Sequence, residues 1–526
     1  MTNTSNFDRK QKQYVIYRIA SIILILISLS FIIHRAWFCD DSYITFRTLD
    51  NFVNGYHLTW NIYERVQSYT HPLWLFLLIP FYATTHEIFL TVSTISVSLS
   101  ALALFILYKS TKEKSQLIIP LVGLAFSNAY VNYSTSGLEN ALLNLLFSLF
   151  LFVYTQRQNN KFLVFLICFL SILVALTRLD AFLVVMPSLI FVFFTERTKF
   201  SKKLLQLILG FSPLIFWELF SLFYYGFPFP NTYYAKLNAG FPLSDYLIRG
   251  WHYFLDTVIN DPITALGLVI GCLAFLVVPK KMRLFSLGIF LYFLYLFSIG
   301  GDFMSGRMYS SLLFISFALL TQNQFHLNKG LLIVISTILV VVGFLARCPT
   351  PYLANATPLD DKISGQITDE RRYFMGGTSV FRNHRFNTSI EMDNKIWGFN
   401  SYSWIADQRK AGKMYELPVF IETSIGFFGY FGGPELKVID VVGLTDPLTA
   451  RLPAIYDPGW RVGHLVRVVP EGYPQSVATP GSQLADSNLN EYNNHLKVIT
   501  QSNLFSKGRL LEILRFNFGY YDYLIR

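Results

Sequence analysis

The sequence predicts a polytopic α-helical membrane protein with a C-terminal soluble mixed α/β domain, and three observations predict it. The 526 residues are 53% hydrophobic and only 14% charged, a balance too apolar for a soluble protein of this length. Apolar segments of roughly spanning length recur between residues 19 and 346. Beyond residue 346 the composition turns to Asn, Asp, Gly and Pro.

The apolar segments lie near residues 19–33, 88–108, 116–133, 137–154, 162–177, 181–196, 204–224, 262–279, 284–299, 309–323 and 330–346, which makes about eleven crossings. No small-residue cleavage pattern follows the first, so it reads as a retained helix rather than a signal peptide. Cations mark alternate gaps. Arg9, Lys10, Lys12 and Arg18 precede the first segment; Lys109, Lys112 and Lys114 follow the second; Arg157 and Lys161, then Arg197, Lys199, Lys202 and Lys203, come later. Lys280, Lys281, Arg283 and Lys329 continue the series. By the positive-inside rule these gaps are cytoplasmic, which places the N-terminus inside and the region after residue 346 outside. Residues 72–83 hold a short run between Pro72 and Pro80 and read as embedded or surface-lying, since a crossing there would break the charge parity.

Two domains follow: a membrane module over residues 1–346 and an extracytoplasmic soluble domain over 347–526. In the second, YELPVFIETSIGFFGYFGGPELKVIDVVGL alternates β-branched and aromatic runs with glycine breaks, as buried strands do. No repeat of fixed period is evident, which argues against a repeat-built transporter. The net charge of +10 sits in clusters beside apolar runs, so it orients the chain in a membrane and does not call for nucleic acid. Four cysteines without a CxxC spacing carry no zinc or redox signature. Cys39 and Cys348 fall on one membrane side, which alone does not make a disulfide.

The outside gaps hold the chemistry. They contain FCDDSYITFR and WNIYERVQSYTHPLW, then YSTSGLEN, LTRLD, GFPFPNTYYAK and GGDFMSGRMY. Polar clusters distant in sequence but sharing one membrane face are the parts expected of a single site, because ionisable groups at membrane depth are costly unless they serve a cavity. Asp40 and Asp41 form a carboxylate pair able to deprotonate a hydroxyl; the plainer alternative is a solvated helix end, and a two-Asp metal site is a third. Arg47, Arg65, Arg178, Lys236 and Arg307 are cations suited to a lipid phosphate, against the alternative of headgroup anchoring. Arg178, flanked by apolar segments, is the strongest candidate for facing a protein cavity. Tyr43, Trp60, Tyr69, Trp74, Tyr233 and Tyr234 suit either sugar stacking or an interfacial aromatic belt. His71 and His464 could hold a phosphate or be structural. No GxxxxGK[ST] occurs, which argues against a P-loop ATPase.

Taken in order, DDSYITFR, NFVNGYHLTWNIYERVQSYTHPLW, TSGLEN, LTRLD, GFPFPNTYYAK, GGDFMSGR and VIDVVGLTDPLTAR resemble the GT-C-type membrane glycosyltransferase group that includes the mycobacterial terminal arabinofuranosyltransferase AftB and Legionella LphB-like proteins. The resemblance implies a multi-helix membrane module of a bacterial inner membrane, an outward-facing site, a periplasmic C-terminal domain and a polyprenyl-phosphate sugar donor. It implies Asp40 as base with Asp41 as partner. Arg47, Arg65, His71, Arg178, Lys236 and Arg307 then grip the donor. Tyr43, Tyr69, Trp74, Glu139, Asn231, Tyr233, Asp302, Asp446 and His464 line the substrate pocket. No cofactor is required in this scheme, and a divalent metal is not excluded by it. The chain departs from the group's pattern where ERVQSYTH replaces an ERVEGYTN-like run, at Gln67, Ser68 and His71, and where GHLVR replaces a GHEK-like one after His464; arabinose is therefore not carried over.

The rival classes are a lipid or glycolipid transporter, which should show broken helices with midplane ions, and a non-catalytic envelope assembly protein, which should tolerate loss of Asp40 and Asp41. A phosphoethanolamine or acyl transferase would need a nucleophile or metal constellation, and the sequence presents none.

Overall fold

The computed structural model describes residues 2–156, 160–237, 239–276, 278–322, 327–347, 349–351, 366–379, 405, 407–413, 419–479, 481 and 483–525. Arg157, Cys348 and the YELP start of the strand-like stretch lie outside them. Helices in chain order are α1 (Thr2–His34), α2 (Asp40–Val53), α3 (Pro72–Thr85), α4 (Ile88–Ser110), α5 (Ile118–Phe126), α6 (Asn128–Tyr133), α7 (Asn140–Gln156) and α8 (Leu163–Thr177). They continue with α9 (Phe182–Thr195), α10 (Phe200–Tyr224), α11 (Asn231–Leu237), α12 (Leu243–Asn260), α13 (Pro262–Leu273), α14 (Arg283–Ser298), α15 (Arg307–Leu320), α16 (Lys329–Leu345) and α17 (Glu370–Thr378). After these come β1 (Phe420–Glu422), α18 (Gly426–Gly432), β2 (Val438–Asp440), α19 (Tyr473–Ala478), α20 (Ser487–Gln501) and α21 (Lys507–Asn517).

Among the described residues four helical spans, Gln11–His34, Ile88–Ser110, Phe200–Tyr224 and Lys280–Ser298, are long and apolar enough to cross a membrane, and eight further apolar helices are 10–17 residues long. The protein is a helical membrane protein. Each expected apolar segment forms helix, but residues 116–133 are not one: Ser127 breaks the run and caps α6 by accepting the Tyr130 N–H. Pro80 does not end α3 but lies inside it. The amphipathic α12 had no expectation.

The chain divides into two compact units that interleave along the sequence, so each draws on segments from both sides of residue 346. The first comprises residues 1–38, 89–213 and 243–386. Here α9 runs along α14, α13 along α15, and α7 along α8. Glycines permit the closest approaches, as small residues do between membrane helices. A Cβ at Gly288 of α14 would collide with the Val184 carbonyl of α9, and one at Gly250 of α12 with the Phe297 carbonyl of α14.

The second unit comprises residues 39–88, 214–242 and 387–526. Its described strands are β1 and β2, paired in parallel with Phe420 opposite Val438 and Glu422 opposite Asp440. SIGFFGYFGG, expected within a strand-like stretch, instead folds as α18 and supplies the crossover that a parallel pair requires. One core gathers Ile439, Leu448, Tyr492, Leu496, Ile499 and Ile513; another gathers Ile44, Trp60, Ile425, Phe428 and Val438. Thus the loop before α3 is built into a core rather than lying on a surface. Buried Arg509 donates to the carbonyls of Phe223, Tyr224 and Ile499, tying α21 to the end of α10.

Candidate functional site

Asp40 begins α2, and both of its carboxylate oxygens accept backbone N–H groups of α18: Oδ1 from Phe427 at 2.8 Å and Oδ2 from Gly426 at 3.1 Å. The residue keeps some exposed surface, yet its carboxyl is desolvated. Burial is the largest influence and pushes it up to about 6; the two amides oppose that rise and the adjacent Asp41 adds to it. A carboxyl in that range is divided between its two protonation states near neutral pH, which is what a general base needs. Asp41 is half-buried beside it.

Helical spacing puts Tyr43 and Arg47 on the α18 side of α2. The Tyr43 ring lies 4.4 Å from that of Phe427 and 5.1 Å from that of Tyr430. Arg47 is buried, donates from Nη2 to the Leu436 carbonyl at 2.8 Å and stands 4.0 Å over the Trp60 ring. Its Nε and Nη1 are buried without a hydrogen-bond partner, and burial foremost lowers its affinity for the proton, to about 9. Thr45 and Thr48 project differently. The Thr45 hydroxyl is 2.8 Å from His71 Nε2, and that of Thr48 is 3.1 Å from Ser68 Oγ. Two of the positions where this chain departs from the glycosyltransferase pattern therefore pack on the helix that bears the acids.

The rest of WNIYERVQSYTHPLW is held just as firmly. Asn61 donates to Glu64 Oε1 at 2.9 Å and to the Val438 carbonyl at 3.2 Å. Glu64 is pushed up to about 8, chiefly by burial and then by Asp446. Arg65 donates to the Ile499 and Ser502 carbonyls at the end of α20, where the helix dipole favours a cation. Gln67 accepts from Ser221 at 3.0 Å, Tyr69 and Tyr225 share a 2.9 Å hydroxyl contact, and Trp74 is wholly buried.

Asn231 opens α11. It donates to the carbonyls of Gly443 and Asp446, both at 2.8 Å, and accepts from Arg451 at 3.3 Å. Asp446, expected to face an acceptor, is 1% exposed: it accepts the N–H groups of Leu448 and Thr449 and the Tyr473 hydroxyl. Burial raises it to about 6. A small cleft is lined by Arg65, Gln67, Asn231, Tyr234 and Arg451. Arg451, the last residue of VIDVVGLTDPLTAR, stacks on Phe227 at 4.1 Å and Tyr234 at 4.9 Å. Tyr233 and Lys236 are exposed on α11, and His464 is half-buried.

In the first unit, LTRLD and GLEN meet. Arg178 donates from Nη1 to Glu139 at 3.1 Å, pairs through Nε with Asp180 at 2.9 Å, and reaches the Tyr292 hydroxyl at 3.1 Å. Arg307 pairs with Asp302 at 3.3 Å, and its carbonyl accepts from Asn140. Asp180 belongs to LTRLD, whereas Tyr292 lies in an apolar run and carries no local signal. Among the described residues no group of three or more His, Cys, Asp or Glu side chains could hold a metal ion.

The fold and these polar clusters define a polytopic membrane protein with an oriented carboxylate at the head of a short helix. No protein-family profile matches the chain, and no solved structure does. The chain is 24% identical, over 522 residues covering 83% of it and 82% of the relative, to the terminal β-(1→2)-arabinofuranosyltransferase of Mycobacterium tuberculosis (strain ATCC 25618 / H37Rv). That likeness bears out the distant resemblance carried by the motifs.

Proposed function

We propose that this protein is a membrane glycosyltransferase that moves a sugar from a polyprenyl-phosphate donor to a cell-envelope glycan or glycolipid on the extracytoplasmic face of a bacterial inner membrane. In this reading its N-terminus is cytoplasmic and residues 347–526 are periplasmic. The observation that carries the reading is the Asp40 carboxylate: desolvated, oriented by two amides and raised to about 6. Similarity over most of the chain to an arabinofuranosyltransferase supports the reaction class.

The step is direct displacement. Asp40 takes the proton of an acceptor hydroxyl, that oxygen forms a bond to the anomeric carbon, and the bond from this carbon to the phosphate oxygen breaks on the opposite face. Polyprenyl phosphate leaves with the electron pair and the anomeric centre inverts. Asp41 keeps the local field negative, which disfavours the ionised form of Asp40 and makes its carboxylate the stronger base. Arg47, which keeps two guanidinium nitrogens without a hydrogen-bond partner, is the cation of the second unit to which this reading assigns the phosphate.

The test supplies the purified protein with a panel of polyprenyl-phosphate sugars, arabinofuranosyl included, and an extract of envelope glycans. Acceptor-dependent release of polyprenyl phosphate, reduced about 10²-fold or more in Asp40→Asn, is expected for loss of a general base. Equal behaviour of wild type and variant across the panel would overturn the reading and favour transport or assembly.

A further inference from the structure

We propose that the backbone amides of Gly426 and Phe427 are the positioning device for the base, so that α18 fixes the direction in which the Asp40 carboxylate presents its free lone pairs. This rests on the reading of Asp40 as base. Two consecutive N–H groups grip the two oxygens separately, at 3.1 and 2.8 Å. A carboxylate held at both oxygens cannot rotate about its Cβ–Cγ bond without losing a charge-assisted hydrogen bond. The ionised pair offers about four lone-pair sites, so two remain for a substrate hydroxyl.

The neighbouring residues preserve that grip. A Cβ at Gly426 would collide with the Asp40 carbonyl oxygen, so only glycine allows the two backbones to meet here. One turn along, a Cβ at Gly429 would lie 2.5 Å from the Trp60 ring and 2.8 Å from Arg47 Nη1. Tyr43 on Phe427 fastens the same two helices further down, and Arg47 on the Leu436 carbonyl ties α2 to the segment between α18 and β2. The charged neighbour of Asp40 on α2 is Asp41; Cys39 and Tyr43 stand on the same segment, and Tyr430 is the titratable side chain of α18. Because the amides oppose the rise caused by burial, losing one of them moves the Asp40 titration to higher pH.

The experiment compares Phe427→Leu, which keeps the amide and loses the ring, with Phe427→Pro, which removes the amide at a position near a helix start where proline is tolerated. Asp40 titration is read by difference infrared spectroscopy against Asp40→Asn, and kcat and KM are measured beside it. Phe427→Leu should titrate like wild type. Phe427→Pro should titrate at higher pH, with the acid limb of the rate profile following it and kcat falling about tenfold or more at little-changed KM, the mark of a misoriented group. Identical titrations in the two variants would overturn the positioning role whatever the protein's activity. A shifted titration with unchanged kcat would instead overturn the reading of Asp40 as base, and with it the role assigned to the amides. Gly426→Ala, combined with Asp40→Asn, should be non-additive; additive losses would count against the proposal.

Discussion

Arg178 and Glu139 form a 3.1 Å ion pair with side chains only 14% and 3% exposed, and Asp180 is a second carboxylate partner of the arginine at 2.9 Å. Removing the cation leaves a buried carboxylate without its partner, which costs about 3–5 kcal/mol for such pairs. Arg178→Ala should therefore lower the thermal midpoint of the detergent-solubilised protein well beyond Arg178→Lys, which keeps the charge and loses the fork. Equal midpoints for the two variants would mean that the pair is not what holds α7 and the α8–α9 turn together.

Glu64 predicts a pH dependence of stability. Its carboxyl is raised from 4.5 to about 8 in the folded protein, so between those values the native state holds a proton that the unfolded chain has released. Stability then falls as pH rises through that window, because the native state binds the additional proton. Glu64→Gln keeps the acceptor for Asn61 and removes the titration. The variant should show a flatter thermal midpoint against pH from 5 to 8 than wild type; parallel curves would count against the protonated form.

Asn231 supplies both donor contacts to Gly443 and Asp446 and the acceptor for Arg451. Asn231→Ala leaves two buried carbonyls and a guanidinium short of partners, at about 1–3 kcal/mol for each group left unsatisfied. A clear drop in chemical-denaturation midpoint is expected, with Asn231→Asp no better, because a carboxylate cannot donate to those carbonyls. Recovery by aspartate would show that acceptance from Arg451 is what matters.

The helices were legible because apolar length is a local property: α4, α7, α8, α10, α14 and α16 lie where the hydrophobic runs do. The break at Ser127 was not, since it depends on Asp261, far along the chain, which accepts the Ala129 N–H at 2.8 Å and the Ser127 hydroxyl at 3.4 Å. Likewise α18 has the aromatic, glycine-broken composition of a strand, yet its first amides find Asp40. In the first unit, the Arg178–Glu139 pair joins two motifs already noted for their charge, and the Arg307–Asp302 pair closes within a third. Asp446 was legible as a motif, but not the capping of its own turn or the bond to Tyr473. Nothing local distinguishes an acid that caps from one that faces a substrate.

Arg47 offers a separation of stability from function. It is a buried guanidinium with two nitrogens unbonded, and among the described residues no carboxylate pairs with it. Burying a cation on those terms opposes folding, and apolar replacement of buried charge is often neutral or stabilising. Arg47→Met, of similar length, should therefore keep or raise the thermal midpoint even though it gives up the bond to Leu436 and the stacking on Trp60. If Arg47 answers the donor phosphate, the same variant should raise KM for the polyprenyl-phosphate sugar by about tenfold or more, the value of one hydrogen bond to a charged group. Joint measurement of midpoint and KM decides the matter. A large loss of stability would make Arg47 a structural strut, and an unchanged KM in a stable variant would remove it from the donor site.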